Sequence, residues 1–517
     1  MPGTHSFNQT VVDNDLDSQM TALGLEEAMV LTSQSPVLSS PNQLRINYFL
    51  ENVESTKKLT ISLAVLDDDL LLKRLESTVE IHTIEIHSRC AVHKVLSVYS
   101  LPSCLKILRI INNILNYDDI FALIRCFGSE NNLQELDLSR TKFEKNCFHS
   151  FITVLVNCSN LTRLILTDNC LTKEETFGLL ASLKWTASLR NLNLSKNNLT
   201  VFEMHGQFDN IVSLDLSHSA LQGNTNIIEI CKLQALEEIN LSHNHIRFSP
   251  LPEFDTQLDK LSINMKTISL SFNYLTPENI NQFCFLIKSN LTKLYLDSNH
   301  ICSSIWSLCS LSVKIKHLKV LSLANTDVCV AVDGLAFLLS LAKELEELDL
   351  SSNNLVLDDF RQLQLPLSNL KQLKKLNLSN NPEGASDLLQ EILSSFKNLQ
   401  ELRLSNTQMN GEDLGKISNS LASLRDLRYL DLSMNAIDSD GKRTLANLLK
   451  GLPLLEGLDL SQSSMRGSDL NVLWNSFASL KVLKYLNLSG NQADANAFEN
   501  SLLFVPSKNL LGRAYYQ

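Results

Sequence analysis

Three histidines near the middle of the chain come closest to a pattern that could support chemistry. His218 and His243 hold the same position in two successive segments of similar sequence, and His245 lies two residues further on. Asp215 and Ser217 precede His218 on one predicted strand. Two adjacent imidazoles could bind a metal ion or change charge at about pH 6. Since no third protein ligand is evident, we favour a solvated polar row at the edge of a sheet.

Sequence motifs of the common catalytic centres are absent from the chain. There is no G-x-x-x-x-G-K-[ST] phosphate loop, no G-x-S-x-G nucleophile turn, no H-E-x-x-H zinc motif and no set of kinase motifs. The sequence outside the repeats described below is too short for a separate catalytic domain. We therefore expect a protein that is not an enzyme, with no cofactor and no bound metal.

Charge and composition narrow the class of partner and the compartment. The formal net charge of −11 argues against a general phosphate-binding surface, so we expect no nucleic-acid partner. No basic segment followed by an apolar stretch opens the chain, and no window approaches about 18 uninterrupted apolar residues, so neither a secretory signal nor a membrane span is expected. All eleven cysteines lie between Cys90 and Cys329 without a C-x-x-C pair, which favours reduced thiols in a cytoplasmic protein.

One nine-residue phrase, Leu-x-x-Leu-x-Leu-x-x-Asn, recurs fifteen times between Leu105 and Asn491, at intervals of mostly 26 to 29 residues. Each unit is too small to bury its own apolar face and must stack on its neighbours. Positions one to nine of the phrase are used below to name equivalent residues. Clear copies are Leu161–Asn169, Leu189–Asn197, Leu345–Asn353, Leu427–Asn435 and Leu483–Asn491.

Each phrase predicts a strand, and the residues after it predict a helix in the longer units. Leu348 and Leu350 alternate with Glu347 and Asp349, which turns the leucines inward and the acids outward. Thr172-x-x-Glu175 predicts a capping box where a helix should begin. Helical spacing of apolar residues is clear at Leu414, Ile417, Leu421 and Leu424.

The ninth position is Asn in ten units and Thr or Ser in the other five. Here the chain leaves the strand and turns beneath the sheet, where backbone donors and acceptors are shielded from water. An Asn amide offers both a donor and an acceptor to those groups. We therefore expect a ladder of stacked amides with a structural role.

These residues resemble the leucine-rich-repeat superfamily. The 28-residue spacing of the units that begin at 105, 133, 161 and 189 is similar to the ribonuclease-inhibitor-like subtype. The resemblance implies an α/β fold, a curved solenoid or horseshoe with a parallel β-sheet on the concave face and helices on the convex face. It is similar to the sensor arrays of intracellular nucleotide-binding receptors and to leucine-rich-repeat effectors. The units at Leu189 and Ile211 are only 22 and 25 residues long, so we expect incomplete helices and looser curvature around 189–236.

The repeats divide the chain into four predicted regions. Residues 1–42 form a non-repeat segment that ends in a Ser/Pro-rich linker, and 43–104 hold degenerate starting repeats. Residues 105–494 form the solenoid. Residues 495–517 are predicted to form a C-terminal cap, in which the apolar residues Phe498, Leu502, Leu503 and Phe504 cover the last open core layer.

Partner contacts are expected on the outward strand positions, because a curved sheet presents them together. Acids outnumber bases at these positions, which favours a basic partner. Phe272 and Met434 replace the usual polar residue of the eighth position, and Arg403, Tyr429 and Tyr485 are residue types common in binding hot spots. Arg403, Tyr429, Met434 and Tyr485 could form one patch. The predicted partner-binding residues are Phe272, Tyr295, Arg403, Tyr429, Asp431, Met434, Asp459 and Tyr485.

The sequence therefore predicts a non-catalytic protein–protein interaction scaffold. It would bind a partner protein on its concave face, either as an intracellular sensor or regulator or as a pathogen effector. The alternative is a stoichiometric inhibitor or a GTPase-regulating protein, since the ribonuclease-inhibitor-like subtype includes both. No oligomeric state follows from the sequence.

Overall fold

The computed structural model describes residues 58–61, 82–87, 92–93, 96, 105–127, 132–183, 185–200, 210–222, 230, 233–246, 264–287, 289–301, 304–381 and 386–492. All of them belong to one compact unit, Lys58–Gln517. The predictions for residues 1–42 and 495–517, and most of those for 43–104, lie outside the described residues.

Seventeen strands of the described residues form one parallel sheet, in which each strand pairs with the next one along the chain. The order is that of a solenoid, since every unit adds one strand beside the strand of the unit before it. The strands are Lys58–Ile61, Thr83–His87, Ile107–Ile111, Glu135–Asp137, Arg163–Ile165, Asn191–Asn193, Ser213–Asp215, Glu238–Asn240, Thr267–Ser269, Lys293–Tyr295, Val320–Ser322, Glu347–Asp349, Lys375–Asn377, Glu401–Arg403, Tyr429–Asp431, Gly457–Asp459 and Tyr485–Asn487.

Helices follow the strands in the long units. Alternation of one strand with one helix makes the unit a curved α/β leucine-rich-repeat solenoid, as predicted. A second, two-stranded sheet pairs Ile114–Leu115 with Lys142–Phe143, and a 3-10 helix spans Val328–Ala331. The described α-helices are Tyr117–Cys126, Cys147–Asn157, Lys173–Leu183, Pro277–Leu286, Ile305–Cys309, Val332–Leu341, Leu357–Ser368, Ser386–Ser394, Gly411–Ala422, Ser439–Lys450 and Gly467–Phe477.

The core consists of the repeated leucines and one apolar stripe from each helix. Leu348 and Leu350 are buried, and burying such a side chain contributes about 1.5–3 kcal/mol. The predicted capping box is present, because the Thr172 N–H donates to Glu175 and the Glu175 N–H donates to the Thr172 hydroxyl. The predicted helical stripe is fully buried at Leu414, Ile417, Leu421 and Leu424.

The asparagine ladder is confirmed, and Asn435 shows its pattern. The Asn435 Nδ2 donates to the carbonyls of Leu404, at 2.7 Å, and Leu432, at 3.0 Å. Its Oδ1 accepts from the backbone N–H groups of Thr407 and Met409, at 3.1 and 3.0 Å. Each amide therefore joins its own unit to the unit before it. This arrangement holds the turns beneath the sheet in register.

The two short units keep the sheet continuous. Strands Asn191–Asn193, Ser213–Asp215 and Glu238–Asn240 pair in register with one another. The connecting segments 201–209 and 223–229 lie outside the described residues. The expectations of incomplete helices and looser curvature therefore stay predictions.

The eighth position of every unit has a left-handed backbone. All fifteen residues at this position have a positive φ, between 51° and 67°, and only one of them, Gly490, is a glycine. A side chain in this conformation projects away from the strand that precedes it, so these residues form a row along the flank of the sheet. Side chains of the row contact each other between units, as in the hydrogen bond of 2.9 Å from Asn406 Nδ2 to Asn380 Oδ1.

Candidate functional site

Aspartates at the fifth position are engaged by their own strand ends. The Asp431 Oδ1 accepts from the backbone N–H of Ser433 at 2.9 Å and from its hydroxyl at 2.6 Å. Asp459 is held in the same way by Ser461, at 2.9 and 2.7 Å. The recurring Leu-Asp-Leu-Ser sequence therefore has a local structural cause. These carboxylates still carry charge, but their positions are fixed from within the protein.

An ion ladder neutralises the outward face at the N-terminal side of the sheet. Glu85 lies 2.9 Å from Lys58 and 2.5 Å from Arg109, and Arg109 lies 2.7 Å from Glu135. Arg163 extends the ladder at 3.7 Å from Glu135. Burial disfavours the charged form of Glu85, but the hydrogen bonds from Lys58 and Arg109 outweigh it and lower the pKa of this carboxyl. The charged side chains of this region are therefore paired with one another.

The C-terminal side of the same face is different, because it carries a cluster of aromatic and cationic groups. The Arg403 guanidinium lies 5.1 Å from the centroid of the Tyr429 ring. Its Nε donates to Glu401 at 2.6 Å, which fixes the guanidinium above the ring. Such a cation–π contact contributes about 0.5–1 kcal/mol at an exposed site. We call Arg403, Tyr429, Gly457 and Tyr485 the tyrosine patch.

Gly457 allows the two tyrosines of the patch to approach each other. Residues 429, 457 and 485 are paired third-position residues of three adjacent strands. A Cβ at Gly457 would lie only 2.5 Å from Cδ2 of Tyr429, so the ring occupies the space of the missing side chain. The centroids of the Tyr429 and Tyr485 rings are 6.3 Å apart, within the range of aromatic pairs.

The phenols of the patch are neutral at physiological pH. Burial and the nearby carboxylates of Asp431 and Asp459 raise the pKa of Tyr429 well above its usual range. Burial and Asp459 also raise the pKa of Tyr485, whose hydroxyl lies 3.4 Å from an oxygen of Asp459. Both hydroxyls therefore stay protonated and can donate hydrogen bonds to a partner.

A groove of about 360 Å³ continues the face from Arg403 towards Tyr295. Lys375 crosses it, with Nζ 2.9 Å from Glu347, and this hydrogen bond raises the pKa of the lysine although burial opposes the change. The residues that line the groove are Tyr295, Val320, Leu321, Ser322, Glu347, Leu348, Asp349, Lys375, Leu376, Asn377, Glu401 and Arg403.

The structure brings six of the eight predicted partner-binding residues onto one sheet face. Asp459 is the least accessible of them, at 9% exposed, so it supports its neighbours more than it contacts a partner. The other two lie on the flank row instead. Met434, 45% exposed, follows its strand by three residues and has a left-handed backbone. The six on the sheet face are Tyr295, Arg403, Tyr429, Asp431, Asp459 and Tyr485.

Phe272, the other flank residue, stacks with the histidines. The rings of His218 and His243 are 4.0 Å apart and nearly parallel, at 10°. The Phe272 ring continues the stack at 4.1 Å and 11° from His243. Lone pairs of imidazole nitrogens lie in the ring planes, so two parallel stacked rings cannot converge on one metal ion. No group of three potential metal ligands occurs in the described part of the chain.

Two features of the face were missed by reasoning from the sequence. Gly457 is the one glycine at the third position of the fifteen units, a signal that would have pointed to close approach of a neighbouring ring. No sequence pattern predicted the groove around Lys375, because its walls come from five strands.

Within the described residues, no helix has the length and apolar content needed to cross a membrane.

Comparisons with known proteins agree with the repeat architecture. Two family models, both described as leucine-rich repeat, match residues 423–446 and 235–256. A solved structure titled "Crystal structure of TLR13-ssRNA13 complex" is similar over 83% of this chain, with 20% identity and a TM-score of 0.43. The match covers 64% of that longer chain, and a TM-score this low supports no inference about function. No curated protein matches the sequence.

Proposed function

We propose that this chain, a leucine-rich-repeat protein, is a non-catalytic scaffold that binds a basic partner protein on the outward face of its sheet. The contact surface runs from Tyr295 to Tyr485 and includes the tyrosine patch and the groove. The clustering of Arg403, Tyr429 and Tyr485 around Gly457 is the observation that carries the proposal. The ribonuclease-inhibitor-like subtype and a role as sensor, effector or inhibitor stay predictions.

The residue types of the tyrosine patch favour binding to a protein. Tyrosine and arginine side chains dominate the energetics of protein interfaces, because they bury large areas and still offer hydrogen bonds. Tyr429 and Tyr485 are half-buried before any partner binds, and Glu401 fixes Arg403. Little side-chain entropy is therefore lost when these groups are covered.

The charge of the surface favours a cationic partner. Third and fifth positions of the strands from Lys293 to Asn487 carry five carboxylates and three cations. The last three strands, which hold both tyrosines, contribute Asp431 and Asp459 and no cation. The N-terminal ion ladder has no surplus of carboxylates, because Lys58, Arg109 and Arg163 pair with Glu85 and Glu135. A basic protein would therefore be attracted to the C-terminal half of the face.

The proposal is tested with the full chain and a double variant, Tyr429→Ala with Tyr485→Ala. We expect proteins captured from native lysate by the parent chain to be lost from the variant, with affinities for a purified captured partner reduced at least about 30-fold. The unfolding midpoint should change little, because both side chains lie on the outward face. Binding should also weaken as salt is added.

The control removes a more exposed aromatic pair from the helical side. Trp306 and Phe337 are 47% and 46% exposed, with ring centroids 5.9 Å apart. Trp306→Ala with Phe337→Ala should leave capture unchanged. Full affinity in the tyrosine variant, or equal losses in both double variants, would refute the proposed surface.

A further inference from the structure

A second surface with its own chemistry lies on the flank of the sheet. His218, His243 and Phe272 stack at the eighth position, and His245 stacks on Tyr274 at the tenth, with centroids 6.0 Å apart and planes 6° from parallel. These five side chains form the ring row. All five are exposed, with Phe272 at 45% and Tyr274 at 59%.

The backbone fixes the ring row in place. His218, His243, Phe272 and Tyr274 have φ between 55° and 59°, in the left-handed region that side chains seldom adopt. The same conformation in successive units brings side chains of the same position one strand apart. Elsewhere the eighth position carries small, polar or flexible residues, so rings stack continuously only here.

Charged side chains are absent from the segments that build the row. Residues 218–222, 243–246 and 272–276 contain no Asp, Glu, Lys or Arg. Lys196 holds the eighth position of the preceding unit and Ser298 that of the following one. Asp215, on the strand before His218, is engaged by the Ser217 hydroxyl at 2.8 Å and by Asn193 at 3.3 Å. Beside the row, the charged groups are therefore Lys196 and the engaged Asp215 carboxylate, and protonation of the imidazoles adds positive charge.

The geometry of the rings selects the kind of group that can bind. The facing sides of His218, His243 and Phe272 cover one another, so along this stack a partner meets ring edges. The polar atoms on those edges are imidazole nitrogens and the Tyr274 phenol. A neutral imidazole offers one donor and one acceptor, and protonation turns both of its nitrogens into donors. Lys196 adds a cation to the same flank. An anion is the complement of such a surface.

We propose that the ring row docks an acidic peptide segment, edge-on against His218, His243 and His245, and that protonation of these imidazoles strengthens the contact. The surface is separate from the tyrosine patch and takes a partner of opposite charge. Burial and the neighbouring His218 lower the pKa of His243, which disfavours its imidazolium in the absence of an anion. A bound carboxylate reverses that effect by stabilising the imidazolium.

A peptide is favoured over a nucleic acid for two reasons. Bases bind proteins mainly by stacking on exposed ring faces, and here the faces between His218, His243 and Phe272 are occupied. The chain also has a net charge of −11, which repels a polyanion at long range more strongly than a short acidic segment.

The test uses the full chain and three fluorescent probes of equal length: a Glu-rich peptide, a Lys-rich peptide and a single-stranded oligonucleotide of mixed sequence. We expect the Glu-rich peptide to bind, and its affinity to rise by about tenfold as the pH falls from about 7.5 to about 5.5, since one new ion pair is worth roughly that factor. The Lys-rich peptide should show no such gain. Tighter binding of the oligonucleotide than of the Glu-rich peptide would overturn the proposal.

The variant His218→Asn with His243→Asn should strongly reduce the pH dependence and leave only the contribution of His245. Asparagine is well suited to a left-handed backbone and already occupies this position at Asn325 and Asn380, so the fold should be kept. The control, His149→Asn with His317→Asn, changes two exposed histidines elsewhere and should retain the parent's behaviour. An unchanged pH dependence in the first variant would refute the assignment.

A direct readout uses the histidine proton resonances of the full chain. Adding the Glu-rich peptide should raise the titration midpoint of His243 and move the resonances of His218, with no change in the resonances of His149. The absence of any change at His218 and His243 would overturn the proposal. Binding to the tyrosine patch should be unaffected by the histidine changes, so the two proposals can fail independently.

Discussion

The Tyr429 ring lies where a side chain at position 457 would stand, so Gly457 and Tyr429 together form one structural element. A Cβ at Gly457 would meet Cδ2 of the ring at 2.5 Å and Cε2 at 3.1 Å. The ring leans across this strand towards Tyr485, with Arg403 on its other side. The absence of a side chain at Gly457 therefore sets the position of the Tyr429 ring on the neighbouring strand.

Substitution Gly457→Ala should displace the Tyr429 ring. We expect a stability loss of about 1 kcal/mol, at the low end of the cost of overpacking, because the ring can rotate away. Urea unfolding measures this loss. In a Tyr429→Ala background the same substitution should cost almost nothing, since the clash is gone. An equal cost in both backgrounds would show that Gly457 does not act through the ring.

The raised pKa of Tyr429 predicts a dependence of stability on alkaline pH. Folding favours the neutral phenol of Tyr429. The contribution of this group to the free energy of unfolding is therefore complete below the unfolded pKa of about 10 and is lost as the pH rises towards the higher pKa of the folded state. Tyr429→Phe should therefore lose less stability than the parent between neutral pH and about pH 11. The exposed Tyr117 provides the control, and Tyr117→Phe should follow the parent.

A buried ion pair links two neighbouring helices. Lys442 Nζ lies 2.8 Å from Asp469, with the two side chains 7% and 13% exposed. Lys442→Met should destabilise the protein by on the order of 3 kcal/mol, because it leaves a carboxylate buried without its partner. Adding Asp469→Asn should restore much of that loss. Denaturant unfolding of the single and double variants measures both effects, and a harmless Lys442→Met would contradict the role of the pair.

The same pair predicts a dependence of stability on acid pH. Burial opposes ionisation of Asp469, but hydrogen bonds from Lys442 and the Arg466 N–H lower its pKa below the usual value. The stabilisation is therefore present above the unfolded pKa of about 3.9 and is lost as the pH falls through the lower folded value. The Lys442→Met variant should lose less stability than the parent over this acid range.

Replacement of one ladder asparagine should be costly even though the new residue is apolar. Asn435→Leu removes the acceptor of the Thr407 and Met409 N–H groups, which are buried with it. We expect a loss of about 1–3 kcal/mol, the cost of leaving such groups unpaired. Asn447→Leu, on an exposed helix position, is the control and should change the unfolding midpoint little.

The repeat predicted most of the fold because its spacing determines which atoms meet. Positions four and six became buried leucines, the ninth became the amide ladder, and the strands paired in the order of the units. Tyr429 and Tyr485 were predicted as contact residues from their type and strand position alone. A patch of these tyrosines with Arg403 and Met434 was also predicted, although Met434 lies on the flank. The space at Gly457 that the Tyr429 ring occupies was not predicted, because this neighbour contributes no side chain.

The ring row shows a second limit of prediction from the sequence. The equivalent positions of His218 and His243 indicated that they would be neighbours, and the structure confirms this at 4.0 Å. A metal site or a solvated polar row were the alternatives considered. In the structure the two histidines stack with Phe272, because the left-handed backbone sets the rings parallel. The residue types alone do not predict this backbone geometry.

The asparagine ladder also makes each coil of the array depend on its neighbours. Asn491 accepts from the N–H groups of Ser463 and Met465, both at 3.0 Å, whereas its own amide still reaches the Leu488 carbonyl of the same coil. Shearing off a coil on the C-terminal side would thus orphan two donors in the coil left behind. Loss of the coil on the N-terminal side would orphan two donors as well, because the Lys484 and Tyr485 N–H groups donate to the Glu456 carbonyl of the coil before them. Shortening the array by one coil should consequently be costly from either end.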